Sequence, residues 1–192
     1  MKTNRESKFD INPDILHRWS PRAFTGEGIS DEDLMAMFEA GRWASSAYNS
    51  QPWRFIYAKR ETSEWDVLFN LLVEPNQVWC KFASALVVII SRKNMEYKEK
   101  LDRTHAFTTG AAFQNICLEG VHRGIATHGM AGFDFDAAYD VLGIPEPFEV
   151  QAMLAIGKQA DKSVLPEDLQ DAETPSDRKS LEEIVMHGKF VD

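Results

Sequence analysis

The chain has 192 residues, with 21 lysines and arginines against 30 aspartates and glutamates; its formal charge of −9 opposes attraction to a phosphate backbone, which excludes nucleic acid as an expected partner. A hydrophobic fraction of 44% and a charged fraction of 27% are ordinary for a globular protein, and this length can bury a core without disulfides or structural metal, so one domain is expected over residues 1–192. Cys80 and Cys117 lie in apolar stretches without CxxC spacing, and no apolar run has the length of a membrane span or the look of a signal sequence. Reduced core thiols, no membrane partner and a cytoplasmic location are the expectations.

A short helix is expected after Pro13. Next comes HRWSPRAF (17–24), where Pro21 fixes the backbone between Ser20 and Arg22, and Arg18 lies two residues before the serine. Two guanidinium forks and a hydroxyl this close could converge on a phosphate. They could equally form surface ion pairs with nearby carboxylates.

Ser30, followed by Asp31, Glu32 and Asp33, is a helix start, with a hydroxyl cap and acidic residues in the first turn. Leu34, Met37, Phe38 and Gly41 then recur at helical spacing, which predicts a core-facing helix to about Trp43.

That helix leads into ASSAYNSQPWRF (44–55), which concentrates Ser45, Ser46, Ala47, Asn49, Gln51, Pro52 and Trp53. Ser, Asn and Pro favour turns, so a shaped loop is expected, able to present several neutral hydrogen-bonding groups to one planar polar ligand. A surface turn anchored by its tryptophan is the alternative.

Residues 54–59 read as a strand and 63–72 as a helix broken by Glu74, Pro75 and Asn76. ALVVII (85–90) is short and β-branched, hence a strand buried on both faces, which implies a layered core. Residues 102–123 form a long segment apolar on nearly every side, to be buried or laid against another subunit. Its small patch Gly110–Ala112 would admit a close backbone or a flat ring, and His105 reads as a helix-surface residue.

GIATHGMAGF (124–133) is punctuated by Gly129 and Gly132, which flank Met130 and Ala131; it is either a ligand-approaching backbone or a strand and turn. His128 could donate a proton or be structural. A helix over 134–142 ends at Gly143, and 151–156 is a further strand. From 159 the chain turns polar and finishes in an apolar patch of Leu181, Ile184, Val185 and Phe190. This C-terminal extension, about 159–192, needs a groove, and a partner subunit is the expected supplier.

RWSPRAF, ASSAYNSQPWRF, NQVWCKFAS before the buried strand, HAFTTGAAFQNICL, THGMAGFD, GIPEPFEVQAMLAIG and DRKSLEEIV occur in this order over nearly the whole chain. Together they resemble the nitroreductase family of flavoproteins. The resemblance implies an α+β sandwich with a central, mainly antiparallel sheet flanked by helices, and an intertwined homodimer binding FMN non-covalently in two interface sites. Arg18 and Ser20 then match phosphate and ribityl contacts, and Arg22 a contact near the pyrimidine edge. Arg178 matches a late phosphate arginine. Ser45, Ser46, Ala47, Asn49 and Gln51 match the loop reaching the flavin from the neighbouring subunit; Asn76 matches a pyrimidine contact, and Met130, Ala131 and Gly132 the backbone beside N5.

In this resemblance NAD(P)H reduces the flavin at N5 and a planar acceptor such as a nitroaromatic or quinone reoxidises it, by ping-pong turnover, with no catalytic residue from the protein. Specialised flavin chemistry (dehalogenation, flavin breakdown) and an FMN store or sensor without turnover are the alternatives. Two departures stand out. Some members have Pro-x-Glu-Gly where this chain has Gly129, Met130, Ala131 and Gly132, and some have lysine where Trp79 stands. Both bear on nicotinamide and acceptor preference.

Overall fold

The protein is described by a computed structural model covering residues 3–97 and 99–191. Its centre is a four-stranded sheet of β1 (Trp53–Lys59), β2 (Ala85–Arg92), β3 (Ala126–Met130) and β4 (Phe148–Gly157), in the order β1-β2-β4-β3. All three pairings are antiparallel. The central strand β2 is buried on both sides, as its β-branched run predicts. Leu86, Val88 and Ile90 join one core and Ala85, Val87 and Ile89 the other. Between Ile89 and Ile90 the register shifts, so that Ile89 faces Ala152 and Ile90 faces Val150. The extra residue, Gln151, changes the parity of β4 and turns Val150 onto the same face as Met153.

One face carries α2 (Asp31–Arg42) and α5 (His105–His122), with α1 (Pro13–His17) resting on α5. Ser30 caps α2 by accepting from the Asp33 N–H at 3.0 Å, as its sequence predicts. Gly41 lets α2 and α5 approach, because a Cβ there would meet Ile116 at 2.8 Å. The other face carries α3 (Ser63–Leu71), α4 (Glu74–Cys80) and α6 (Phe135–Leu142).

Two local expectations need correction. Glu74, Pro75 and Asn76 do end α3, but they also begin α4; proline is tolerated in a first turn, where its missing N–H has no partner to lose. His105 is not a surface residue: its Nδ1 lies 2.8 Å from the Ser91 Oγ and its side chain is only 13% exposed. Of the two readings of the glycine-punctuated segment, the strand holds: residues 126–130 form the edge strand β3.

After β4 the chain returns over its own body before leaving it. Phe24 bridges Gln159, the Ala160 N–H donates to the Ala23 carbonyl, and Leu165 is buried. The short helix α7 (Glu167–Gln170) then leads to the buried Glu173. Residues 174–191, including α8 (Leu181–Ile184), are exposed throughout. Among the described residues no helix is long and apolar enough to cross a membrane.

Candidate functional site

The expected site residues fall into two groups on opposite edges of the sheet. The first gathers beside β3. Arg18 donates from Nη1 to the Ser20 Oγ at 3.2 Å. The next turn of chain is fastened by His128 of β3, whose Nδ1 lies 3.1 Å from the Pro21 carbonyl oxygen. Arg22 and Ala23 donate their backbone N–H groups to Glu173 Oε1 at 2.8 and 2.9 Å. Asn76 donates from Nδ2 to the Gly132 carbonyl at 2.9 Å, joining α4 to the end of β3. Gly132 leaves room for this bond, since a Cβ would lie 2.5 Å from Asn76 Nδ2 and 3.1 Å from a Val73 methyl and would push the amide aside. Met130 turns its side chain inward, its Sδ 3.3 Å from the Cys80 Sγ, so only its backbone is available to a ligand. Ala131 is exposed beside it.

Trp79 belongs to this edge as a core residue. It is buried to 2% exposure, stacked on Phe24 and only 4.6 Å from the His128 ring. Burial lowers the His128 pKa to about 4; the bond to the Pro21 carbonyl works against this, while the Arg22 charge adds to it. His128 is therefore neutral at pH 7 and acts as a strut. Burial likewise pushes the Cys117 thiol up to about 11 and the Cys80 thiol higher still, which removes both as nucleophiles.

The second group is the loop before β1. Ala47–Asn49 form a single 3-10 turn, and Tyr48, Asn49 and Gln51 all have positive φ, at 51°, 56° and 45°. The bend is tied locally: Ser46 Oγ accepts from the Gln51 N–H at 3.0 Å, and Gln51 Nε2 donates to the Asn49 carbonyl at 3.2 Å. Ser50 anchors it to Asp102 at 3.0 Å. Burial raises the Asp102 carboxyl, but bonds from Thr104 and Ser50 outweigh it and hold the group below its ordinary value. Ser45, Asn49 and Gln51 stay exposed, and Tyr48 is 86% exposed. With Arg54, Met95, Glu96 and Tyr97 the loop lines a cleft of about 320 Å³.

These groups do not meet within one chain. Three strand spacings separate β1 from β3, about 14 Å across the sheet. Met130 is in line with Met153, Val88 and Ile56, so Trp53 and the loop are also offset by three residues, roughly 10 Å along the strand.

Arg178, from the exposed arm, donates to Ser176 and to the Asp177 carbonyl. It lies within electrostatic reach of Arg5: burial first, then the charges of Arg178 and Arg18, lower the Arg5 guanidinium from its ordinary value. Arg5 in turn donates to the Arg18 carbonyl at 2.8 Å. Among the described residues neither Arg18 nor Arg178 forms an ion pair, so the alternative of surface ion pairing fails for Arg18. Arg5, Arg18 and Arg178 are a donor set suited to an oxyanion, assembled in a chain of charge −9.

Arg5 and Glu173 were not visible as site residues in the sequence. Both come from polar terminal stretches and reach the site only through long-range contacts. For Glu173 the one hint was a stretch, 159–180, too polar to pack unless its carboxylates met donors.

Comparison with known proteins agrees with this architecture. The sequence model described as "Nitroreductase family" matches residues 15–78 and 70–158. A solved structure described as an oxidoreductase containing FMN superposes with a TM-score of 0.94 at 41% identity, covering 100% of this chain and 98% of the other. A relative from Archaeoglobus fulgidus, provisionally named an NADH dehydrogenase/NAD(P)H nitroreductase, is 29% identical over 77% of this chain and 84% of its own length. The Bacillus subtilis protein provisionally named NAD(P)H nitroreductase MhqN is 25% identical over 74% of this chain and 84% of its own. The chain belongs to the nitroreductase family.

Proposed function

We propose that this protein is an FMN-dependent oxidoreductase working as a homodimer, with each flavin held between the β3 edge of one subunit and the β1 loop of the other. When bound, FMN supplies the redox chemistry, accepting a hydride from NAD(P)H and passing reducing equivalents to a planar acceptor such as a quinone or nitroaromatic. The observation that carries the reading is the arginine cluster of Arg18 and Arg178 beside Arg5, three guanidinium groups that form no salt bridge among the described residues and have only the Asp177 charge nearby, on the same edge as Arg22, Asn76 and the open backbone at Ala131. The 41% identical structure, described as an oxidoreductase containing FMN, supports the cofactor, and the relatives' names support NAD(P)H as reductant.

The chain's own residues would divide the work. Arg18, Ser20 and Arg178 bind the phosphate and ribityl end. Arg22 and Asn76 orient the pyrimidine edge, where a guanidinium favours negative charge. Ala131 and Gly132 keep the backbone close to the ring. Ser45, Ser46, Ala47, Asn49 and Gln51 cover it from the neighbouring subunit and exclude water.

Two observations favour the dimer. The loop and the β3 edge are too far apart to share one ring within a chain. The outer strip of α5 also lies open: Phe107 is 81% exposed and nothing lies within 4 Å of a Cβ placed on Gly110, while Trp43 beside it is 73% exposed. A second copy would cover this strip and the exposed arm.

Anaerobic titration of the FMN-loaded protein with NADH and then NADPH, watching the flavin absorbance, tests the reading. Bleaching that reverses on adding a quinone is expected. FMN retained without bleaching would turn the reading to a flavin store, and a folded, FMN-loaded monomer in sedimentation would remove the shared site.

A further inference from the structure

Glu173 is buried to 7% exposure, and its Oε2 is the one buried carboxylate oxygen among the described residues without a hydrogen bond. Its Oε1 is fully used, accepting from the Arg22 and Ala23 N–H groups at 2.8 and 2.9 Å. The Oε2 faces Arg22 again, 3.9 Å from Nη1, outside hydrogen-bonding range but inside the range of a charge pair. A carboxylate out of water is costly unless compensated, and here the compensation comes from one short segment, with Arg22 the cation facing it. The arrangement is asymmetric. Glu173 is inside, while the Arg22 side chain is 32% exposed and can lean outward.

We propose that Glu173 is a positioning residue of the flavin site that fixes Arg22 by its backbone and offsets part of its charge, so that the bound flavin is reduced less readily than Arg22 alone would allow. This rests on the FMN reading above. Reduction places negative charge at the pyrimidine edge, and a lone guanidinium there favours the reduced ring. With a carboxylate behind it, the guanidinium presents a dipole rather than a full charge. Glu173 stands where the chain leaves the body, immediately before the exposed arm that carries Arg178, so one anchor positions both Arg22 and the start of that arm.

The test is the midpoint potential of the FMN-loaded protein, read by anaerobic equilibration with a reference dye, for wild type, Glu173→Asp and Glu173→Gln. Glutamine keeps an oxygen for the two N–H groups and removes the charge; aspartate keeps the charge but draws it back from Arg22. The potential is expected to rise from wild type to Asp to Gln, with the Gln variant favouring the reduced flavin about tenfold more, about 30 mV for a two-electron couple. Folded variants with loaded FMN and an unchanged or lower potential would overturn the proposal and leave Glu173 a structural clamp. If the Gln variant does not fold, the Asp variant decides by the same criterion. Wild-type protein that takes up no FMN would instead sink the flavin reading itself.

Discussion

The two edges of the sheet are built in opposite ways. The β3 edge is stitched by contacts distant in sequence, such as Pro21 to His128, Arg22 to Glu173 and Asn76 to Gly132, and it is largely buried. The β1 edge carries a loop folded mainly on itself, held by Ser46, Gln51 and Asn49 within six residues, with its polar groups outward. A preorganised edge can set a cofactor's position and electronics, whereas a self-contained exposed loop can be presented to another subunit without disturbing its own fold. Substitutions at the first edge should therefore cost stability as well as binding. Those at the second should cost binding almost alone.

The largest effect should come from pH. His128 has a folded pKa of about 4 against an unfolded value near 6.5, so the unfolded chain takes up its proton first. Its contribution is complete above pH 6.5 and is lost as pH falls towards 4, on the order of 3 kcal/mol. Unfolding curves across this window should steepen in pH dependence for wild type relative to His128→Gln; identical dependence in both would show that the strut carries no such penalty.

Next, Arg18→Ala should weaken FMN binding by about 2–3 kcal/mol through loss of a charge-assisted phosphate contact. Fluorescence titration with FMN measures this, and unchanged affinity would take Arg18 out of the site. Asn76→Ala removes the bond to the Gly132 carbonyl and should cost about 0.5–1.5 kcal/mol of stability, visible in denaturant midpoints.

The smallest stability effect belongs to the loop. Ser45→Ala, at an exposed position, should change stability by less than about 0.5 kcal/mol. Its FMN affinity should nevertheless fall by about 0.5–1.5 kcal/mol. A stability loss without an affinity loss would erase the contrast between the two edges.

Much of this was legible in the sequence because the deciding interactions are local. The Ser30 cap, the Leu34–Met37–Gly41 stripe, the β-branched run 85–90 and the Gly143 stop each act within a few residues. The helix from Glu74 was hidden because Pro75 reads as a breaker anywhere except a first turn. The order of motifs likewise named the family and nominated Arg18, Ser20 and Arg22 before any geometry.

Only the tertiary structure decided what those residues face. It made Trp79 a core residue against His128, turned Met130 inward, brought Arg5 and Arg178 to Arg18, and placed Glu173 beneath Arg22. Local propensity records how a segment pairs with itself. Burial of a charge and the partner that compensates it are set by contacts between segments more than a hundred residues apart, and the separation of the two sheet edges by strand pairings between distant segments; no spacing within any one segment encodes them.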